Sequence, residues 1–243
     1  MTKLSVNINK IALLRNARGR NYPDVAAFAE RCLQLGAGGI TLHPRPDQRH
    51  ARYTDVSALH AVTAAHGSEL NVEGFPAAEF LQVVHRVRPA QCTLVPDSPD
   101  QLTSDHGWNL QRDAEQLQPI IRQLKDDGIR VSLFIDVDNP DVAIAAQLGA
   151  DRIELYTEPY AEQFGGPDEG SMLQAFRAAA LRAAQTGLGV NAGHDLNLQN
   201  LAGFLTIPDV LEVSIGHALI AESIELGLPA VIAAYRAIID GTI

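Results

Sequence analysis

Several things are scarce in this chain of 243 residues, and each scarcity excludes something. It has two cysteines, Cys32 and Cys92, each beside apolar neighbours. A disulfide framework is therefore excluded, and a reducing cytoplasm is the expected working place. No apolar run approaches the roughly 18 residues of a membrane span, and the start, Met-Thr-Lys-Leu-Ser-Val-Asn, lacks a signal-peptide core. The sequence thus predicts a soluble intracellular protein without membrane attachment. An excess of positive charge is lacking too: the formal net charge is -10, which argues against a nucleic-acid partner. Lysine is sparse, with three residues against sixteen arginines. Nothing in the composition resembles disordered, collagen-like or coiled-coil chains.

The charge that is present is unevenly spread. Residues 1–52 hold nine basic side chains against Asp24, Glu30 and Asp47. A basic segment in an acidic chain, rich in the planar guanidinium fork, points to a small anion such as a phosphate, or alternatively to an interface.

Short β-branched runs recur near 3–8, 38–42, 69–73, 91–95, 129–135, 151–156, 187–191 and 210–215, several of them almost wholly apolar, as strands covered on both faces should be. Helical patterns fall between them, near 24–35, 54–66, 77–87, 109–127, 139–148, 171–186 and 197–206. Pro119 interrupts the fourth and predicts a kink or a fresh start there. Eight strand–helix units of about 30 residues predict a single (β/α)8 TIM barrel over residues 1–243, with an extra short helix from Gly216 and a final one from Pro229. A doubly wound sheet would carry a glycine fingerprint after its first strand, where Asn7-Ile8-Asn9-Lys10 stands instead.

In such a barrel the chemistry lies at the C-terminal ends of the strands. Those positions hold Asn7, Asn9 and Lys10; His43, Arg45 and His50; Glu73; the Thr103 loop; Asp136; Glu154; Asn191, Gly193, His194 and Asp195; and Gly216 and His217. Three histidines from different strands converging with Glu73 read as acid–base machinery. A carboxylate among apolar neighbours there should titrate high, unless Glu73 is spent as a salt-bridge partner of Arg45. No metal is expected, since no ligand-spaced cluster is present, and no cofactor is called for. Arg15, Arg18, Arg20 and Arg45 are read as a rim clamping one phosphate; the start of the Gly216 helix offers a second anion site. Residues 158–171, with Gly165-Gly166-Pro167, read as a lid or an idle loop. Lys10 leaves open a Schiff-base aldolase acting on a sugar phosphate. A non-catalytic phosphate-metabolite binder is the other alternative.

The chain resembles the pyridoxine 5'-phosphate synthase family. The matching segments are Val6-Asn7-Ile8, Leu14-Arg15-Asn16-Ala17-Arg18-Gly19, Gly39-Ile40-Thr41-Leu42-His43-Pro44-Arg45, Arg49-His50, Asn71-Val72-Glu73, Leu94-Val95-Pro96, Val131 through Asp136, Asn191-Ala192-Gly193-His194 and Ile215-Gly216-His217. The resemblance implies condensation of 1-deoxy-D-xylulose 5-phosphate with 3-amino-2-oxopropyl phosphate, giving pyridoxine 5'-phosphate, phosphate and water, without cofactor or metal. It implies that His43 and Glu73 accept protons, His194 donates one, and Glu154 stabilises charge. Asn7, Arg18, Arg45, His50 and Thr103 would hold the first substrate, with Asn9 and Lys10 beside them. Gly216, His217 and the residue after His194, Asp195, would hold the second. It also implies a homo-octamer. Three departures from the family pattern stand out: Asn9-Lys10 replaces its Asp-His, Asp195 replaces a glycine, and the Thr103 loop differs locally. Asp195 is expected to turn away and cap the following helix.

Overall fold

A computed structural model describes residues 2–97, 101 and 103–242. The first strand, β1 (Lys3–Asn7), is followed by β2 (Gly39–Leu42), β3 (Glu69–Gly74), β4 (Gln91–Leu94), β5 (Arg130–Ile135), β6 (Arg152–Tyr156), β7 (Gly189–Gly193) and β8 (Val210–Ile215). All are parallel and close into a barrel, β8 pairing with β1 from Lys3↔Glu212 to Val6↔Ile215. The expected (β/α)8 architecture is the one observed.

The strand pattern has a consequence that apolar content alone does not show. Outward positions such as Val6, Ile40, Leu42, Val72, Leu94, Leu133, Ile153 and Val213 are buried under the helices. Alternate positions point into the barrel, and there the residues are polar. Hydrogen bonds join strands that are not neighbours: Thr93 of β4 to Glu154 of β6 at 3.4 Å, and Gln91 of β4 to Asn191 of β7 at 3.3 Å and to Glu212 of β8 at 3.4 Å. Such bonds can run only through the interior.

The surrounding helices are α1 (Asn9–Asn16), α2 (Val25–Gln34), α3 (Tyr53–Ala65), α4 (Ala78–Val87), α5 (Leu110–Asp126), α6 (Val142–Gln147), α7 (Glu158–Gln163), α8 (Glu169–Gln185), α9 (Leu201–Phe204), α10 (His217–Leu226) and α11 (Leu228–Ile239). Asp24 caps α2 by accepting from the Ala27 N–H, and Asn109 caps α5 by accepting from that of Arg112.

Three expectations need correction. α5 runs unbroken across Pro119, with no fresh start; Pro119 and Glu115, whose carbonyl the proline leaves without an intrahelical donor, both lie on the exposed face, open to solvent. The segment after β1 is a helix rather than a loop, burying Ile11, Ala12 and Arg15. Residues 158–171 are not one long lid-like loop either. α7 is anchored by Tyr160, fully buried with its ring 5.4 Å from Phe204 and 6.3 Å from Phe176, and its hydroxyl donating to the Asn200 carbonyl at 3.0 Å. Glu169 then opens α8, so only a short turn separates the two helices.

Candidate active site

At the barrel mouth, β1, α1 and β2 are tied by backbone-to-side-chain bonds. The Asn9 N–H donates to Asn7 Oδ1 at 3.0 Å, and the His43 N–H donates to Asn9 Oδ1 at 3.0 Å. His43 is buried, and its ring lies 6.5 Å from that of His50. Burial first, then the charges of Arg45, His50 and Arg49, hold His43 well below the ordinary imidazole range. Burial foremost, then Arg45, Arg49 and Lys10 against the opposing charge of Asp47, bring His50 down to about 4. Both rings are thus neutral near pH 7, the form in which imidazole accepts a proton.

Deeper in the barrel, Asn71 Nδ2 lies 3.4 Å from Glu73 Oε1, while Asn71 Oδ1 accepts from the Thr93 hydroxyl at 3.0 Å; that hydroxyl also reaches Glu154 Oε2. Glu73 and Glu154 are therefore linked through two neutral side chains. Burial, followed by the facing carboxylates of Glu154, Glu212 and Asp97, pushes Glu73 well above the usual carboxylate range. Burial and then Glu212 push Glu154 up to about 8. The high titration expected of Glu73 holds, and Glu154 shares it. Gly193 leaves space beside that carboxyl: a Cβ there would sit 2.5 Å from Glu154 Oε1, so a larger residue would have to displace it.

Arg45 is not the partner of Glu73. Its Nη2 binds Asp97 Oδ2 at 2.5 Å, and its Nη1 donates to the Gln101 carbonyl at 3.1 Å. Asp97 Oδ2 also accepts from Ser104 Oγ at 2.7 Å and lies 4.0 Å from His43 Nε2. Its other oxygen, Oδ1, is buried without a partner among the described residues. Sequence reasoning missed Asp97, although it follows Leu94-Val95-Pro96, directly beyond a strand end. The reading of that loop rested on Thr103 alone.

Thr103 does reach the site. Its Oγ1 lies 3.0 Å from His194 Nε2, and Asp195 Oδ2 lies 2.8 Å from His194 Nδ1. Tyr156 sets its ring edge-on to His194 at 5.1 Å. Asp195 therefore does not cap the next helix. His194 and Asp195 take φ of +91° and +58°, which swings the carboxylate back onto the imidazole. Asn197 serves the following turn in its place, accepting from the Gln199 and Asn200 N–H groups.

The arginine rim is smaller than expected. Arg15 is buried in a two-pronged pair with Asp55, at 2.7 and 3.0 Å, and donates to the His50 carbonyl. It is a structural clamp between α1 and α3. Arg18, Arg20 and Lys10 are exposed. Across the mouth, Gly216 packs so tightly on Asn7 that a Cβ would meet Asn7 Cβ at 3.1 Å. α10 begins at His217 with no side-chain cap on its first N–H groups among the described residues.

The family model for pyridoxal phosphate biosynthesis protein PdxJ matches residues 4–241. A protein of Xanthomonas campestris pv. campestris called pyridoxine 5'-phosphate synthase is 54% identical over 248 aligned residues, covering 99% of this chain and 97% of that one. One of Xylella fastidiosa with the same name is 51% identical, covering 98% and 95%. Among solved structures, thiamine phosphate pyrophosphorylase from Pyrococcus furiosus superposes with a TM-score of 0.65 at 13% identity, covering 99% of this chain and 96% of that one. At that identity the likeness speaks for the fold alone. The chain belongs to the family of pyridoxal phosphate biosynthesis protein PdxJ.

Proposed function

We propose that the protein is a pyridoxine 5'-phosphate synthase, closing the pyridine ring from 1-deoxy-D-xylulose 5-phosphate and 3-amino-2-oxopropyl phosphate with release of phosphate and water. Similarity along the whole chain to proteins of that name supports the activity. The observation that supports the residue roles is that His43, Glu73, Glu154 and His194 all stand at or just beyond the C-terminal ends of barrel strands, with His43 held low and the two glutamates pushed up.

Imine formation, loss of phosphate, loss of water and ring closure each move a proton. Neutral His43 accepts one. Glu73, holding its proton in a buried setting, gives it to a departing oxygen and then takes one back as a carboxylate. His194 donates at the opposite side of the mouth, and Glu154, on the wall between, answers charge that develops in the transition state. Asn7, Asn9, Lys10, Arg18, Arg45, His50 and Thr103 hold the first substrate. The α10 N-terminus at Gly216 and His217, with the Asp195 backbone, holds the phosphate of the second. Lys10 serves as an anion ligand rather than a Schiff base, because it is exposed on α1 and lacks the apolar pocket that activates such a lysine.

The reading also takes residues 1–243 as one barrel domain working in the cytoplasm as a homo-octamer, with no nucleic acid or membrane as partner. Exposed Leu13, Leu14, Ile224 and Leu226, on α1 and α10, support self-association. Among the described residues no helix is long and apolar enough to cross a membrane. The test is a two-substrate assay with purified protein and no added metal. Formation of pyridoxine 5'-phosphate is expected; folded protein that yields none from authentic substrates would refute the reading.

A further inference from the structure

Asp195 follows His194 and lies beside the anion site proposed at the start of α10, and a carboxylate next to a phosphate site calls for a reason. We propose that Asp195 is a positioning residue that fixes the tautomer of His194, keeping a proton on Nδ1 and turning Nε2 toward the reacting atoms. This rests on the synthase reading for what His194 does, not for how the ring is held.

A carboxylate only accepts hydrogen bonds, so the 2.8 Å contact to Asp195 Oδ2 requires Nδ1 to carry the hydrogen. In the neutral ring Nε2 is then the acceptor, and the Thr103 hydroxyl at 3.0 Å is its donor. In the charged ring Nε2 carries the proton to be delivered. Either way, the reactive nitrogen is Nε2, on the side of the ring away from Asp195. The backbone that aims the carboxylate is held independently: Thr157 Oγ1 donates to the carbonyls of Gly193 and His194, and Asn200 Nδ2 donates to that of Asp195 at 3.1 Å. The Tyr156 ring closes the remaining side.

The charged and titratable groups facing the pair fit the same arrangement. Asp195 is held below the usual carboxylate range first by its hydrogen bond with His194, against the effect of burial, with His217 and Lys10 contributing. Asp195 thus remains an anion, and its charge faces three basic side chains. That answers the repulsion it would otherwise exert on a phosphate at the start of α10.

The test combines nitrogen-15 spectra of the histidine rings with steady-state kinetics on Asp195→Gly and Asp195→Asn. Glycine suits a φ of +58°, so the first variant keeps the backbone and removes only the carboxylate. In wild type the His194 resonances, assigned by their loss in His194→Gln, should show the hydrogen on Nδ1. Asp195→Gly should show the Nε2–H tautomer gaining, with kcat falling about 10- to 100-fold, well short of the loss when an orienting aspartate is removed from a Ser-His-Asp triad. KM for the aminoketone phosphate should stay level or fall. Asp195→Asn, whose amide oxygen still accepts from Nδ1–H, should keep the wild-type tautomer and lose less than Asp195→Gly. An unchanged ring spectrum in Asp195→Gly, an unchanged kcat in it, or Asp195→Asn no better than glycine would overturn the proposal. Since the spectra need no substrate, they read the proposal even if the two-substrate assay fails.

Discussion

The two ends of the barrel interior treat the same residue type in opposite ways. At the floor, Glu69 accepts from Lys3 Nζ at 2.7 Å and from Arg130 Nη2 at 2.6 Å. Burial alone would raise it, but these bonds and charges outweigh burial and hold it down to about 2. Toward the mouth, Glu73 and Glu154 have, among the described residues, the neutral hydrogen-bond partners Asn71 and Thr93, and both are pushed up. Glu212 lies between these cases: Arg152 is 3.9 Å away, too far to offset burial, and it is raised as well. Two things separate the ends: Glu69 is only half-buried and has cations within hydrogen-bond reach, whereas Glu73 and Glu154 are buried and have none among the described residues. The floor spends its charges on holding the barrel closed, and the mouth keeps carboxyls that still carry protons near neutrality.

Replacing a mouth carboxyl should cost turnover and leave binding nearly intact. Glu73→Gln should lower kcat about 10²- to 10⁴-fold, the usual span of a general acid–base group, with KM for either substrate within a few-fold. An effect confined to KM would demote Glu73 to a ligand. Next in size is a change outside the interior. Arg15→Ala should destabilise by about 3 kcal/mol, because it leaves Asp55 in a half-buried site without its cation. Arg18→Ala should leave the melting temperature alone and raise KM for the deoxyxylulose phosphate. Calorimetry and kinetics on that pair separate clamp from ligand.

Gly193→Ala tests the crowding at the mouth. The added methyl, 2.5 Å from Glu154 Oε1, should displace that carboxyl and cost about 1–3 kcal/mol of stability together with activity. The smallest effects carry the sharpest signs. Glu69→Gln should lose about 1 kcal/mol near pH 7, and the difference from wild type should fade as pH falls from 4.5 toward 2, where wild-type Glu69 also loses its charge. Glu154→Gln should go the other way. The unfolded chain ionises this residue near 4.5 and the folded one near 8, so wild type loses stability across that interval and the variant should gain on it as pH rises from 4.5 to 8. Parallel thermal melts of both variants from pH 2 to 8 would expose a wrong sign in either.

Much of this was legible in the residues themselves. The strands announced themselves as β-branched runs at regular spacing, and the rule that chemistry sits at their C-terminal ends pointed to His43, Glu73 and His194 without coordinates. α1 and α7 were not legible. α1 starts with Asn-Lys and buries an arginine, and α7 is six residues long before Gly165-Gly166, so neither shows an apolar stripe. Pairings across long separations were hidden as well: Arg45 finds Asp97 52 residues on, and Arg15 finds Asp55 40 residues on, both through loop paths that no local pattern encodes. The turn of Asp195 onto His194 depended on two successive positive φ values, which a His-Asp dipeptide does not advertise. The polar lining of the barrel was visible residue by residue, in Ser5, Thr41, Asn71 and Thr93, but its meaning depended on knowing which face of each strand turned inward.

The contrast between floor and mouth comes down to whether a buried glutamate at the mouth holds its proton. An infrared pH titration of wild type against Glu154→Gln reads this directly through the stretching band of the protonated carboxyl. The band assigned to Glu154 should be present at pH 6, disappear as pH rises through about 8, and be missing from the variant at every pH. A Glu154 that is already a carboxylate at pH 6 would contradict the account.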